Sequence, residues 1–585
     1  MASIISALKN NKIAVALAAL VAIISIAPHL WFAISLGEEY RGLYMTQAAN
    51  ELEYLGRVQE IAEGHWKVGS VPFVEYKSHP PFMPPSLLEI IFAIASKIFF
   101  ISIPTVFIIS KGVLPAVLFL LIYSLIRSAG RDSEETRWWA LGAAAFAVLG
   151  YDLVDYRSVI GFLKGGRGPD EFLIWTRPIN PVLGGILVFG FVAAVWRLYS
   201  QTVSLWRGRI IGGLLLSCGI LSYFFSWGAM LSFLAILTLI AFLQKRWDMV
   251  KNSIWIAFIG IIISLPYWYN LWNASGNEGY IDSVMRNGLF ITRIPILNKV
   301  TLATLAIFLF VTWLDDRKRG FNHFRRREQW WYVALSMIAV GLVVFNQQVI
   351  TGRTVWPYHF VQYVIVLCVS ALAILMSRLE WLPKLVTKFF TVGILLVSIT
   401  FGIYSQITTY VQNADLYRGR QHYAAALEWL NANAVPECVV LTEEKRYVNG
   451  SILAFTRCNV YISNFWTFLL PTERLIHNQL VYMRLKGVTA ATLDSYLQEN
   501  YSNIMVSFLG MQVMGKTINY DDHQVFLNNL EENYRAFLKK DFLLELKRYR
   551  IDYILVEQGK SPGAQELIKN QKPIISSLQW ELYKI

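Results

Sequence analysis

Long apolar stretches constrain this chain more than any other feature. Ile13 to Ser35, Thr105 to Ile126, Pro178 to Leu198, Gly228 to Leu243, Phe360 to Ser377 and Phe389 to Thr409 are nearly free of charge. A soluble core has no use for so many segments of bilayer length. Of 585 residues, 55% are hydrophobic and 16% charged, as in a chain that turns apolar surface toward lipid.

Five further apolar stretches, Trp138 to Leu153, Ile210 to Phe225, Ser253 to Trp272, Val300 to Leu314 and Trp330 to Val349, raise the expected number of spans to about eleven. Leu87 to Phe100 is short for a span and is followed by Pro104. Charge decides its place. If it stays on the outer side or only dips into the bilayer, the loops carrying Arg127, Arg131 and Arg137, then Arg197, Arg207 and Arg209, Lys245, Arg246 and Lys251, Arg317 to Arg327, and Arg378, Lys384 and Lys388 all fall on the N-terminal side. Basic loops mark the cytoplasmic face. Counting Leu87 to Phe100 as a span would put RKRGFNHFRRR outside. The net charge of +13 is therefore a topology signal, and no nucleic-acid partner is expected. Lys9 and Lys12 precede a first span with no small-residue cleavage site behind it, so that span is expected to be retained. The N-terminus is then cytoplasmic, in a bacterial or archaeal plasma membrane.

Composition divides the chain near residue 413. Residues 1–412 form the membrane part, with a first outer loop over 36–86. Residues 413–585 alternate strand-like runs (CVVLT, NVYIS, DYILVE, WELYKI) with helical patterns at Thr472 to Leu485, Ala490 to Glu499 and His523 to Arg548. The expected fold is a polytopic α-helical membrane protein with a C-terminal extracytoplasmic α/β domain. That domain holds no phosphate loop, nucleophile elbow or metal-ligand cluster, which fits a lid or an acceptor-recognition module. Cys438 and Cys458 each adjoin a strand-like run and could bond in an oxidising compartment, whereas Cys218 and Cys368 lie in apolar segments.

The chemistry is expected on the outer face. The loop GEEYRGLYMTQAANELEYLGRVQEIAEGH, Gly37 to His65, is the hydrophilic stretch of the membrane part richest in carboxylates. Asn50 can cap a helix with Glu51 and Glu53 in its first turn and Leu52, Leu55, Val58 and Ala62 as an apolar stripe, lying along the membrane surface. Glu51 is the expected base, Glu38 and Glu39 compete for that role, and Glu53 points to another face of the helix. A second outer loop supplies Asp152, Asp155, Asp170 and Glu171, with the cations Lys164, Arg167 and Arg177. A later turn adds Arg353 and His359 among Asn346, Gln347, Gln348, Trp356 and Tyr358. The plain alternative for each acid is a solvated charge on an amphipathic connector, and for Arg177 a place among lipid headgroups.

An outer-face transfer has no ATP, so its donor must already be activated and in the membrane, as polyprenyl-linked phosphosugars are. Such a transfer needs a carboxylate to take the acceptor proton or to hold a divalent cation such as Mg or Mn, and cations to stabilise the departing phosphate.

On these residues the chain resembles the GT-C superfamily of membrane glycosyltransferases, which includes oligosaccharyltransferase catalytic subunits, protein mannosyltransferases and aminoarabinose transferases. In oligosaccharyltransferases an Asp precedes an aromatic-rich helix with an Arg six positions on, matched here by Glu51, Tyr54 and Arg57 in ELEYLGR. The segment is also similar to bacterial GT-C-like proteins with YLARIQEVLDGH-like text, and Asn346 to His359 resembles their NQ-x-ITG…H turn. This chain has Asn50-Glu51 where the family has Asp or an Asp-Glu pair, and it lacks a WWDYG motif. The resemblance implies an inverting transfer of sugar from a polyprenyl phosphate to an extracytoplasmic glycan, lipid or protein, and adds Arg57 to Arg353, His359 and Arg177, the outer-face cations expected to bind donor phosphate. A transporter or flippase would show repeated spans and charges at mid-membrane. A non-catalytic scaffold of envelope polysaccharide assembly would have no single essential acid.

Overall fold

A computed structural model of the protein describes all residues except 1–10, 67–71, 78–86, 156–158, 161–167, 277–279, 287–288, 320–327, 464–469 and 511–519. Lys164, Arg167 and most of RKRGFNHFRRR lie outside the described residues.

The chain is an integral membrane protein. Among the described residues, six helices are long and apolar enough to cross a bilayer, or seven if Trp247–Ile263 and Leu265–Ser275, bent by 58° at their junction, form one span. Exposed Ile23, Ile34, Phe242, Leu243, Phe389 and Phe390 give these helices greasy outer faces that suit lipid. Shorter or more charged helices stand at the other four expected stretches. Glu134–Leu149, Leu205–Ile220 and Gln329–Val344 have 16 residues each, roughly 24 Å of helix, less than a hydrocarbon core. Lys299–Arg319 ends in a charged run.

The last long helix, Lys384–Arg420, runs through the compositional boundary at Asn413 without a break. Beyond it lies a five-stranded mixed sheet in the order Asn459–Val460, Val439–Leu441, Tyr553–Glu557, Trp580–Lys584 and Ile575–Ser576. The first three strands are parallel and the last two antiparallel. Cys438 and Cys458 form a disulfide beside the first strand pair. Successive side chains of a strand face opposite sides, and here both sides are apolar. Val439, Leu441, Ile554, Val556 and Tyr583 join the core built with Thr472–Leu485 and Tyr520–Phe537. Val440, Tyr553, Leu555, Trp580 and Leu582 share a core with Leu52, Leu55, Val58 and Ile61 of Glu51–Ala62. The helix Glu51–Ala62 is thus packed into the same core as one face of the sheet.

The helix Glu51–Ala62 forms where the apolar spacing places it, but it lies between protein surfaces rather than along an open membrane face. Leu87–Phe99 covers one side and Tyr447–Phe455 another. Gly56 makes the second contact: a Cβ there would sit 3.2 Å from Leu453 Cβ and 3.4 Å from its carbonyl oxygen. Asn50 does not cap the helix. Its backbone is helical and its side chain makes no capping bond, because Arg177 Nη1 donates to Asn50 Oδ1 at 3.1 Å.

Candidate active site

Glu51 and Glu53 leave the helix in different directions and meet different environments. Glu51 is fully buried. Its Oε1 accepts from Tyr44 Oη at 2.9 Å and its Oε2 from the Gln47 backbone N–H at 2.8 Å. Lys111 Nζ, also fully buried, lies 2.7 Å from Oε2 and donates to the Thr176 carbonyl at 3.3 Å. Lys111 belongs to the apolar helix Ile103–Ala129, where an unpaired ammonium would be costly. Both Glu51 oxygens are engaged, and the pair fastens the start of Glu51–Ala62 to a span.

Glu53 makes no such closed pair. It is half-buried, open to solvent on one side and otherwise surrounded by protein. Desolvation pushes its carboxyl up to about 8 from an ordinary 4.5, opposed by the positive charges of Arg177, Arg57 and Arg446. A carboxyl that titrates near ambient pH and faces guanidinium groups is suited both to taking a proton and to lying beside an anionic leaving group.

The three arginines come from separate parts of the chain. Arg57, almost fully buried, holds Glu89 of Leu87–Phe99 with its Nε 2.6 Å from Oε1. Arg446 is exposed at the start of Tyr447–Phe455, a position brought to Glu53 by the packing at Gly56. Arg177 precedes Pro178 at the head of a span and is fixed by Asn50 and by an Nε donation to the Asn180 carbonyl. Its charge also reaches His359, whose Nδ1 lies 3.0 Å from Tyr223 Oη. Arg177, Arg57, His359 and Glu53 therefore share one neighbourhood.

Other expected site residues stand apart from it. Glu38 and Glu39 are exposed on a short 3-10 turn directly after the first span. Arg353 is exposed on the strand Arg353–Val355, opposite Ile291. The amides near it brace that hairpin: Asn346 donates to Ile296 O, Gln348 to Ile294 O and Phe345 O, and Gln347 to Arg353 O. Asp155, Asp170 and Glu171 are exposed. The Asp170 and Glu171 carbonyls accept from Asn413 and Thr409, which ties their loop to Lys384–Arg420.

At the far end of Glu51–Ala62, Glu60, Glu63 and His65 place ligand-type atoms within 4.8 Å of one another. Glu60 is also salt-bridged to Lys77 at 2.6 Å and to His65 at 2.7 Å, a contact that raises the imidazole pKa. An ammonium ion already meets this carboxylate, which weakens the case for a bound metal ion.

Lys111 could have been found in the sequence as a lone charge in an apolar span. Arg446 carries no local signal, because only tertiary packing brings it to Glu53.

No protein-family model matches the chain, and no curated protein does. Among solved structures it is similar to the crystal structure of ArnT from Cupriavidus metallidurans bound to undecaprenyl phosphate, with 10% identity and a TM-score of 0.46 over 99% of this chain and 98% of that one. The apo structure of the same protein gives 10% identity and a TM-score of 0.43 over 91% and 93%. With one residue in ten shared, neither likeness speaks for a donor, an acceptor or a catalytic side chain.

Proposed function

We propose that the chain is a membrane glycosyltransferase that moves a sugar from a polyprenyl-phosphate-linked donor to an extracytoplasmic acceptor with inversion, using Glu53 as the base. The observation that carries this is Glu53 itself, a half-buried carboxyl lifted to about 8 and facing Arg177, Arg57 and Arg446 at the head of an outer-loop helix.

In the reaction, an acceptor hydroxyl gives its proton to Glu53 while its oxygen forms a bond to the anomeric carbon. The bond from that carbon to the phosphate oxygen breaks, and the electron pair leaves with the phosphate. Arg177 and Arg446 stabilise the charge that develops there. Arg57, held by Glu89, contributes field from within the protein. Glu51 serves as an anchor, so the base role moves from Glu51 to its neighbour two residues on. A divalent cation beside Glu53 would face the same three guanidinium groups, which favours a base over a metal ligand at this position. Arg353, exposed on its hairpin, is assigned to lipid headgroups.

In the proposed topology eleven spans put the N-terminus in the cytoplasm and residues 413–585 outside. The Cys438–Cys458 disulfide supports that side, since such bonds persist in oxidising compartments. A cytoplasmic signal from a reporter fused to the C-terminus would overturn the topology and the outer-face chemistry with it.

The reading is tested in proteoliposomes with a radiolabelled polyprenyl-linked sugar donor. Glu53→Gln should lower transfer by about 10²–10⁴-fold while leaving donor binding intact. Full activity in that variant would remove Glu53 from the mechanism.

A further inference from the structure

We infer that the C-terminal domain carries a saccharide-binding cleft between Thr472–Leu485, Tyr520–Phe537 and the segment Phe542–Tyr549, centred on His477 and Tyr549. This site is separate from Glu53 and rests on the proposed transferase reading only in being assigned to the acceptor. The cleft has a volume of about 540 Å³ and is lined by His477, Tyr549, Glu473, Asn533, Glu545 and Arg548, among others. That volume falls within the roughly 300–1,000 Å³ common for small-ligand sites.

The hydrogen-bonding state of His477 follows from its neighbours. Tyr461 Oη has one proton, which it donates to the Leu546 carbonyl at 2.8 Å. The contact of 2.8 Å between Tyr461 Oη and His477 Nε2 must then be a donation from Nε2–H. In the neutral ring Nδ1 is left with a lone pair. Burial and the charges of Arg474, Arg548 and Lys540 keep the imidazole neutral, pushing its pKa down to about 3. His477 is 5% exposed and lines the cleft, so it offers a fixed acceptor to a hydroxyl donor.

The rest of the lining suits a polyol. Tyr549 lies edge-on to His477, with ring centroids 5.0 Å apart, and is half-buried; Arg474 stacks 3.9 Å from its ring centroid, so only the opposite face is offered to the C–H face of a sugar. Glu473 and Asn533 are exposed at the rim and supply further hydrogen-bonding groups. The cations do not make a phosphate site. Lys540 Nζ and Arg548 Nη1 lie 3.4 Å and 3.2 Å from the Glu545 carboxylate, which offsets one of their two charges. With Glu473 in the lining, two carboxylates stand against two cations, so the cleft is balanced and gives an anion no net positive charge to bind.

The test is saturation-transfer difference NMR on the full chain in nanodiscs, with methyl glycosides of glucose, galactose, mannose and N-acetylglucosamine as probes. Saturation should reach the ring protons of at least one glycoside, fall at least fivefold in Tyr549→Ala and in Asn533→Ala, and persist in 10 mM inorganic phosphate, a concentration of roughly the order at which weak anion sites fill. Asn533 is exposed, so its variant keeps the test valid should Tyr549→Ala fail to fold. No transfer to any of the four probes, equal transfer in both variants, or displacement by phosphate would each overturn the assignment. Binding at the cleft without sugar transfer by the protein would sink the proposed activity and leave this site standing. Sugar transfer without binding at the cleft would sink the site alone.

Discussion

Lys111 Nζ lies 2.7 Å from Glu51 Oε2, and both side chains are fully buried, one on a membrane span and the other at the head of the helix Glu51–Ala62. The pair determines where that helix begins and leaves Glu53, two residues on, to face the arginines. Removing one member strands a buried charge. Lys111→Met and Glu51→Gln should each cost about 3–5 kcal/mol of stability, read as a lowered Tm in detergent. The double variant should recover much of the loss, and equal, additive losses would show that the two are not coupled.

Glu53→Gln should lower turnover by about 10²–10⁴-fold, the range for loss of a positioned base, with Tm unchanged or raised. The rise follows from linkage. A folded carboxyl at about 8 keeps its proton between pH 4.5 and 8, where the unfolded one has released it. The native state therefore binds more protons there, and stability falls as pH rises through that window. Glutamine removes the penalty, so wild type and variant should converge below pH 4.5 and diverge above it. A variant less stable than wild type at pH 8 would contradict the assignment.

The pH profile of kcat/KM should rise with pH to a midpoint near 8, since the deprotonated Glu53 is the active form. Arg177 is the strongest of the charges that hold this pKa down. Arg177→Ala should move the midpoint to higher pH as well as weaken catalysis. A purely structural role for Arg177 would lower the rate at every pH and leave the midpoint where it was.

Replacing Cys438 and Cys458 by serine should cost about 2–4 kcal/mol, typical for releasing a disulfide-closed loop. The loss should show in the C-terminal domain as earlier proteolysis. Wild-type protein that labels with a thiol reagent at these positions without prior reduction would place the domain on a reducing side and argue against the proposed orientation.

Features with a local cause were legible in the sequence. The six long apolar helices follow from apolar length, the helix at Glu51 from its 3–4 spacing, and four of the five C-terminal strands from apolar runs of period-two or continuous type. The strand Ile575–Ser576 was not, because two residues carry no period. The choice between Glu51 and Glu53 was also beyond local reading. Both occupy the first turn, and the difference lies in Lys111, 60 residues away, and Arg446, nearly 400 away. Asn50 reads as a helix cap for the same reason: nothing nearby in the sequence shows that Arg177 claims its oxygen.

The helix Lys384–Arg420 has 37 residues, about 55 Å of rigid rod against a hydrocarbon core of roughly 30 Å. Standing upright it would leave about 25 Å clear of the apolar layer, and in the proposed topology it acts as a mast that sets the height of the sheet above the bilayer. The loop carbonyls of Asp170 and Glu171 are lashed to this mast through Thr409 and Asn413. In that topology an acceptor held by residues 413–585 would arrive at an altitude set by helix length, and inserting one residue near Gln412 would turn everything above it by about 100°.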